Sequence, residues 1–203
     1  MSRYRGPRLR IIRRLGDLPG LSKKVSKKLS SPGLQSSTSN KKLSQFSIRL
    51  REKQKLRFHY GINERQLLNY IKKARKKKGS VGRLLLTLLE MRLDNVIFRL
   101  GLAPTIMSAK QLVSHGHILV NGKEVNISSF SCQPKDELRI KNSSVSQDLI
   151  KRNIELVETF LIPQHLSFDK NNLEAKVVSY VNRKSISLII NELLVVEYYS
   201  RKL

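Results

Sequence analysis

Residues 91–122 read MRLDNVIFRLGLAPTIMSAKQLVSHGHILVNG, and this stretch decides the fold. Four apolar residues from Leu93 to Leu100 recur at i, i+3, i+4 and i+7, the spacing of a helix with one apolar face. Gly101 follows in the C′ position, where glycine commonly ends a helix. The first part of the stretch therefore predicts a short amphipathic helix.

The remainder of the stretch predicts a second helix and a hairpin. Ser108 and Gln111 have the spacing of a capping box, so a helix is predicted to begin there and to end at Gly116. Asn121-Gly122 lies between two apolar runs, which is the strongest short signal for a β-hairpin. Residues 137–141 then predict a further strand, giving the order helix, helix, hairpin, strand.

The two predicted helices share one polar face, which we predict to contact RNA. Acids are nearly absent from this face, unlike the mixed charge of an ordinary solvated helix surface. Its groups can contact phosphates and sugar hydroxyls, through which folded RNA is mostly recognised by shape. The predicted RNA contacts of this module are Arg92, Asn95, Arg99, Lys110, Gln111, His115, His117, Asn121 and Lys123.

The segment before the module, residues 46–91, reads as helices with a basic face. Asn63 and Gln66 are spaced for a capping box, and Ser80 can cap a second helix beyond a basic cluster. The predicted RNA contacts here are Arg49, Lys53, Lys55, Arg57, Tyr60, Arg65, Lys72, Lys73, Arg75, Lys77 and Arg83.

Residues 1–45 show little hydrophobic periodicity and are rich in Arg, Lys and Ser. We interpret them as a basic arm that is ordered mainly by its partner. Its predicted RNA contacts are Arg3, Arg5, Arg8, Arg10, Arg13 and Arg14.

Beyond the module, residues 147–161 have helical spacing and residues 175–181 read as a strand. The chain after Pro163 is predicted to be looped, and residues 186–199 form a mixed apolar tail.

Composition limits the class of partner. The 203 residues include 40 Lys and Arg against 15 Asp and Glu, a formal charge of +25 that favours a polyanionic partner. The longest apolar stretch, residues 84–89, is far short of a membrane span, so nucleic acid is favoured over a membrane. A single cysteine, Cys132, allows no internal disulfide and no Cys-rich metal site, and it suits a reducing compartment.

Residues 91–101 and 109–122 resemble the RNA-binding module named after small-subunit ribosomal protein four. The likeness extends to RYRGPR at residues 3–8, EKQKLR at 52–57 and LVVEYYSR at 194–201. Because the similarity covers start, middle and end, the chain is identified as a member of the bacterial and organellar family of that protein.

The resemblance implies an α+β fold: an extended basic arm (1–45), an all-helical domain (46–91, completed by 186–203), and an inserted α+β RNA-binding domain. That domain spans 92–185, with a helix pair and small antiparallel sheet as its core module, 92–141. The family further implies a structural constituent of the small ribosomal subunit. It would be a primary binder of 16S-type rRNA that nucleates assembly of the subunit body, neighbours small-subunit protein five near the mRNA entrance and contributes to translational accuracy.

The resemblance also bears on cofactors and location. Some family members carry zinc-binding cysteines in the arm; this arm has none, so no metal or other cofactor is expected. Lys110 stands where the family usually has Arg, which keeps the charge and loses the planar fork. The likeness begins near Met1, so the Arg-rich start is expected to belong to the mature protein. A plastid ribosome in the stroma is favoured, with the bacterial cytoplasm as the alternative.

Two other functions are compatible with parts of the sequence. Arg92-Leu93-Asp94 resembles the catalytic setting of one class of pseudouridine synthases, but the tripeptide lies inside the binding module and no separate catalytic domain remains. Asp94 in the first turn of a helix is better explained by the helix dipole. An RNA-binding regulator of translation is the third possibility. We therefore expect a non-enzymatic protein with no catalytic residues.

Overall fold

A computed structural model describes residues 4–28, 30–33, 44–156 and 162–200. Within these ranges, six helices precede the first strand, the strands fall in two later groups, and the α+β class expected from the sequence is confirmed. The helices are α1 (Arg8–Leu15), α2 (Gln45–His59), α3 (Glu64–Arg75), α4 (Val81–Glu90), α5 (Leu93–Arg99), α6 (Ile106–Ser114), α7 (Ser144–Glu155) and α8 (Glu192–Ser200). The strands are β1 (Ile118–Val120), β2 (Lys123–Glu124), β3 (Glu137–Ile140), β4 (Leu166–Asp169) and β5 (Glu174–Val177).

The chain forms two compact units. The first comprises the described residues of Met1–Leu85 and Leu188–Leu203, and the second is Leu86–Ser187. All five strands lie in the second unit, in one antiparallel sheet of order β2-β1-β3-β5-β4.

The start of the first unit is more ordered than predicted. Residues 8–15 form α1, with Ile11 and Leu15 buried, and Leu18 and Leu21 are buried just beyond it. The expectation that residues 1–45 show little hydrophobic periodicity is therefore wrong for the part that contains α1 and the turn after it. These four apolar residues recur every three or four positions, as helical packing requires. The arginines near them hide this pattern when only the composition of the segment is considered.

The rest of the first unit is helical and its start signals match the prediction. Asn63 caps α3 in a capping box with Gln66, as expected, and α4 begins directly after Ser80. The tail forms α8, which packs on α2, with the rings of Phe46 and Tyr198 5.8 Å apart.

The second unit contains the predicted helix pair and hairpin. Gly101 (φ 76°) and Gly116 (φ 72°) end α5 and α6 in the left-handed conformation that favours glycine. Asn121-Gly122 joins β1 to β2, with Val120 opposite Lys123. These three predictions are confirmed.

Three other predictions about the second unit are wrong in detail. The cap of α6 is Thr105, whose side chain accepts from the backbone N–H of Ser108, so the helix begins before the predicted capping box. Helix α7 begins at Ser144, and residues 157–161 of the predicted helix lie outside the described residues. The segment after Pro163 contains β4, which pairs with β5 along its full length.

In the described residues, no helix is long and apolar enough to cross a membrane.

Candidate nucleic-acid interface

The polar residues of α5 form two buried ion pairs. The Arg92 guanidinium donates through Nε and Nη2 to the two carboxylate oxygens of Asp94, at 3.0 and 2.7 Å. Arg92 is 1% exposed and Asp94 is fully buried. A backbone N–H, that of Asn95, also donates to Asp94. Paired and hydrogen-bonded in this way, both charges tolerate burial.

Arg99 makes the second pair with Glu90. Its Nε and Nη2 donate to the two Glu90 oxygens, at 3.0 and 2.7 Å, and Nη1 donates to Ser187. The Asn95 amide adds a hydrogen bond of 2.6 Å to Glu90. Glu90, Asn95 and Arg99 are each at most 4% exposed. Glu90, which precedes α5, and Asp94, in its first turn, thus neutralise the two arginines inside the fold.

This arrangement corrects the predicted RNA face. Arg92, Asn95 and Arg99 were expected to be exposed because they lie off the apolar stripe. Every residue from Met91 to Leu100 is in fact buried, so α5 presents no solvated side. These three residues are structural groups of the second unit and not surface contacts.

Two predicted contacts in the first unit are also buried. Lys53 is 4% exposed, and its Nζ lies 2.8 Å from a Glu64 carboxylate oxygen and 5.0 Å from the Tyr198 ring centroid. Tyr60 is 1% exposed, at the C-terminal end of α2. Their predicted placement on the surface is wrong, because each side chain supports the packing of α2.

A strongly basic surface lies where α3 ends and α4 begins. Residues 65–89 contain eight Lys and Arg and no Asp or Glu, and all eight are exposed. We call seven of them the basic corner: Lys72, Lys73, Arg75, Lys76, Lys77, Lys78 and Arg83. The eighth, Arg65, lies at the start of α3. A cluster of exposed cations without nearby acids in sequence attracts a polyanion over its whole width.

Arginines in α1 and just before it add further exposed cations to the first unit. Arg5, Arg8, Arg10 and Arg14 are exposed, whereas Arg13 is half-buried and donates to the Ser30 carbonyl at 2.7 and 2.9 Å. Arg3 lies outside the described residues.

Three predicted contacts on α2 are partly engaged with acids. Arg49 pairs with Glu197, Lys55 with Glu52 at 2.7 Å, and Arg57 lies 3.7 Å from Glu64. All three side chains retain 21–31% exposure, so they can still face an external phosphate.

The remaining predicted contacts of the second unit fall into two groups. Gln111, His115 and Lys123 are exposed. Lys110 is half-buried 3.7 Å from Asp94, and burial lowers its pKa against the opposing pull of that carboxylate.

The last two predicted contacts of the second unit, His117 and Asn121, form hydrogen bonds within that unit. The His117 ring shares a hydrogen bond of 2.9 Å with the Ser146 hydroxyl. Asn121 is exposed, but its amide donates to Asp136 and accepts from the Glu137 backbone N–H, both at 2.9 Å. Asn121 therefore braces the hairpin against the turn before β3.

The predicted contacts omitted exposed cations in both units; those of the first unit include Lys23, Lys24, Lys27, Lys28, Arg51, Lys76 and Lys78. Lys76 and Lys78 belong to the basic corner, and Arg51 lies on α2. The absence of acids between Glu64 and Glu90 is the signal that would have selected the whole corner.

The groups that could support catalysis are not arranged for it. Asp94 is fully buried in its ion pair, and burial raises the pKa of the Cys132 thiol to about 12, which leaves it protonated and unreactive at neutral pH. In the part of the chain that the structure describes, no three His, Cys, Asp or Glu side chains cluster as a metal site.

Comparison with known proteins gives matches along nearly the whole chain. Residues 3–90 match the family described as "Ribosomal protein S4/S9 N-terminal domain", and residues 91–138 match the S4 domain. Small ribosomal subunit protein uS4c of Euglena gracilis is 65% identical, and that of Hypopterygium laricinum 62% identical. Small ribosomal subunit protein uS4 of Microcystis aeruginosa is 57% identical. Each comparison covers 100% of this chain and 100% of the relative.

Proposed function

Because this chain belongs to the small ribosomal subunit protein uS4 family, we propose that it is a primary binder of small-subunit rRNA. It is a structural ribosomal protein and not an enzyme, and it is of the plastid type. The plastid ribosome is its site of action, and the uS4 relative of Microcystis aeruginosa matches the bacterial alternative.

The basic corner is the observation that carries the proposal. Seven exposed cations lie at one junction of helices, within a run of sequence that contains no acid. Neutralising RNA phosphates releases condensed counterions, and this release supplies much of the affinity of such a surface. The exposed α1 arginines belong to the same unit and add to its field.

The second unit supplies a different kind of contact. Gln111, His115 and Lys123 offer an amide, an imidazole and an ammonium group at the surface. Donors and acceptors of this type suit sugar hydroxyls and phosphates of folded RNA. We assign this unit to orientation of the RNA and the first unit to most of the affinity.

We further propose a role in assembly and in decoding, which the family resemblance suggests. Binding to a junction of rRNA helices would bring distant segments together, which supports early nucleation of the subunit body. A neighbouring position to small-subunit protein five near the mRNA entrance would link the protein to translational accuracy. Both roles require the rRNA contact first.

A salt titration tests the proposal. Binding of the full chain to a plastid small-subunit rRNA fragment is measured across salt concentrations, with a plastid large-subunit rRNA fragment as control. With about ten phosphate contacts, log affinity should fall against log salt with a slope of roughly −7 to −9. A flat response, or equal affinity for the two fragments, would contradict the proposal. Equal affinity for unrelated messenger RNAs would instead favour a general RNA-binding regulator.

A further inference from the structure

Tyr4, Arg57 and Phe58 form a small stack on the first unit that phosphate binding does not explain. The ring centroids of Tyr4 and Phe58 lie 5.4 Å apart, with the planes nearly perpendicular at 77°. The Arg57 guanidinium carbon lies 5.0 Å from the Phe58 centroid. We call these three residues the Tyr4 cluster.

The Tyr4 cluster leaves aromatic surface open to solvent. A perpendicular contact between two rings covers at most one of their four faces. Tyr4 is 42% exposed, and Phe58 is only half-buried. Arg57 keeps 31% of its side chain exposed although it also lies near Glu64. Burial of apolar area alone would not favour an aromatic ring in so open a position.

The backbone beside the cluster is adapted to the ring. A β-carbon placed on Gly6 would lie 2.4 Å from the Tyr4 hydroxyl oxygen and 2.6 Å from Cζ. Only glycine at this position lets the Tyr4 side chain fold back across the chain without displacement. Glycine at position 6 therefore leaves room for the ring where it lies.

We propose that the Tyr4 cluster stacks on an unpaired base of the RNA that the first unit holds. This inference rests on the proposed rRNA binding and adds a second kind of contact to it. Unpaired bases stack on aromatic rings and on guanidinium planes, and the cluster offers both within one contact. Stacking tolerates any base, because every base has a π-face. The exposed arginines of α1, such as Arg8 and Arg10, can hold the flanking phosphates.

Fluorescence tests the stacking directly, since the chain has no tryptophan. Tyr4→Trp introduces a single indole at the cluster, and Tyr180→Trp introduces one at a 61% exposed position of the second unit. The probes are a short single-stranded oligoadenylate and an abasic strand of equal length and charge. We expect the oligoadenylate, but not the abasic strand, to quench the indole fluorescence of the Tyr4→Trp protein. Equal quenching by the abasic strand, or equal quenching of the Tyr180→Trp protein, overturns the proposal.

Affinity for the small-subunit rRNA fragment gives an independent test. Tyr4→Leu keeps apolar packing on Phe58 and removes the π-face, and it should weaken binding by about fivefold or more with an unchanged salt slope. Tyr4→Phe should bind like the unaltered protein. Equal affinities of the Leu and Phe variants, at equal melting temperatures, contradict the stacking. If the unaltered protein shows no salt-dependent binding, the proposed function fails, and the oligoadenylate experiment alone decides the stacking.

Discussion

The first unit carries 27 Lys and Arg against 5 Asp and Glu, a formal charge of +22, whereas the second carries 13 against 10, or +3. In the second unit, Arg92 and Arg99 are buried against acids. In the first, the basic corner is exposed on a segment without acids. The same residue types thus hold one unit together and give the other its external field. The number of arginines in a unit does not show where its interface lies. Arginines with acids beside them are buried in ion pairs, and cations without such acids are exposed to a partner.

The largest expected effect is the loss of a buried ion pair in the second unit. Arg92→Ala leaves the Asp94 carboxylate buried without its bidentate partner, which typically costs about 3–5 kcal/mol of unfolding free energy. Urea unfolding measures the loss. Alkylation of Cys132 reports it locally, because this single thiol is 1% exposed and its backbone N–H donates to the Met91 carbonyl of the same unit.

An exposed pair of the same unit provides the control. Lys141 lies 2.9 Å from Glu124, and both side chains are 49% exposed. Lys141→Ala should cost less than about 1 kcal/mol, since exposed pairs are solvated and screened. If Arg92→Ala is as mild as the control and only weakens RNA binding, Arg92 is a surface contact after all, and the contrast between the units fails.

Local spacing predicted the elements of the fold well. The i, i+3, i+4, i+7 pattern of α5, the stop at Gly101 and the turn at Asn121-Gly122 are all set by residues adjacent in sequence. Strand β4 was missed although its residues, Leu-Ser-Phe-Asp, alternate between apolar and polar, because a pattern of only four residues is too short to distinguish a strand from a loop. Its strand character comes from pairing with β5.

Side-chain placement was less predictable than the elements. A helical wheel separates polar from apolar positions, but it assumes that one side faces solvent. Helix α5 is seven residues long and buried on every side, so its polar positions became internal ion pairs. Glu90 and Asp94 lie close to the two arginines in sequence, and this proximity is the signal that could have indicated ion pairs. By contrast, the basic corner was recognisable, because no acid lies within reach along the sequence.

Neutralising the basic corner is expected to have the next largest effect, on binding alone. The fourfold variant Lys72→Gln, Lys73→Gln, Arg75→Gln and Lys77→Gln removes four exposed charges. The salt slope of rRNA binding should become shallower by about 3, at roughly 0.7–0.9 for each lost phosphate contact. Stability should change little, because exposed substitutions away from caps and cores are usually within about 0.5 kcal/mol each.

A matched fourfold variant in the second unit tests whether position matters. Lys135, Lys151, Arg152 and Lys170 are all exposed, and their replacement by Gln makes the same change in net charge. The corner variant should lose far more affinity than this one. Equal losses of affinity in the two variants would mean that RNA binding depends only on the total charge of the protein. The basic corner would then have no special role.

The smallest expected effect concerns one of the few acids of the first unit. Burial alone would raise the pKa of Glu64, but hydrogen bonds from Lys53 and Tyr199, with the charges of Lys53 and Arg57, lower it below its usual value. A carboxylate with a lowered pKa in the folded state stabilises that state above the unfolded pKa, near 4.5, and loses the effect as pH falls through the folded value. Glu64→Gln should therefore melt below the unaltered protein at pH 7, and the difference should narrow toward pH 3. Because 43% of the side chain is exposed, solvent limits the effect. Tyr199→Phe removes one hydrogen-bond donor and keeps the ring, so its difference in melting temperature from the unaltered protein should narrow less toward pH 3. If the difference for Glu64→Gln is the same at every pH, Glu64 stabilises the fold by packing and not by its charge.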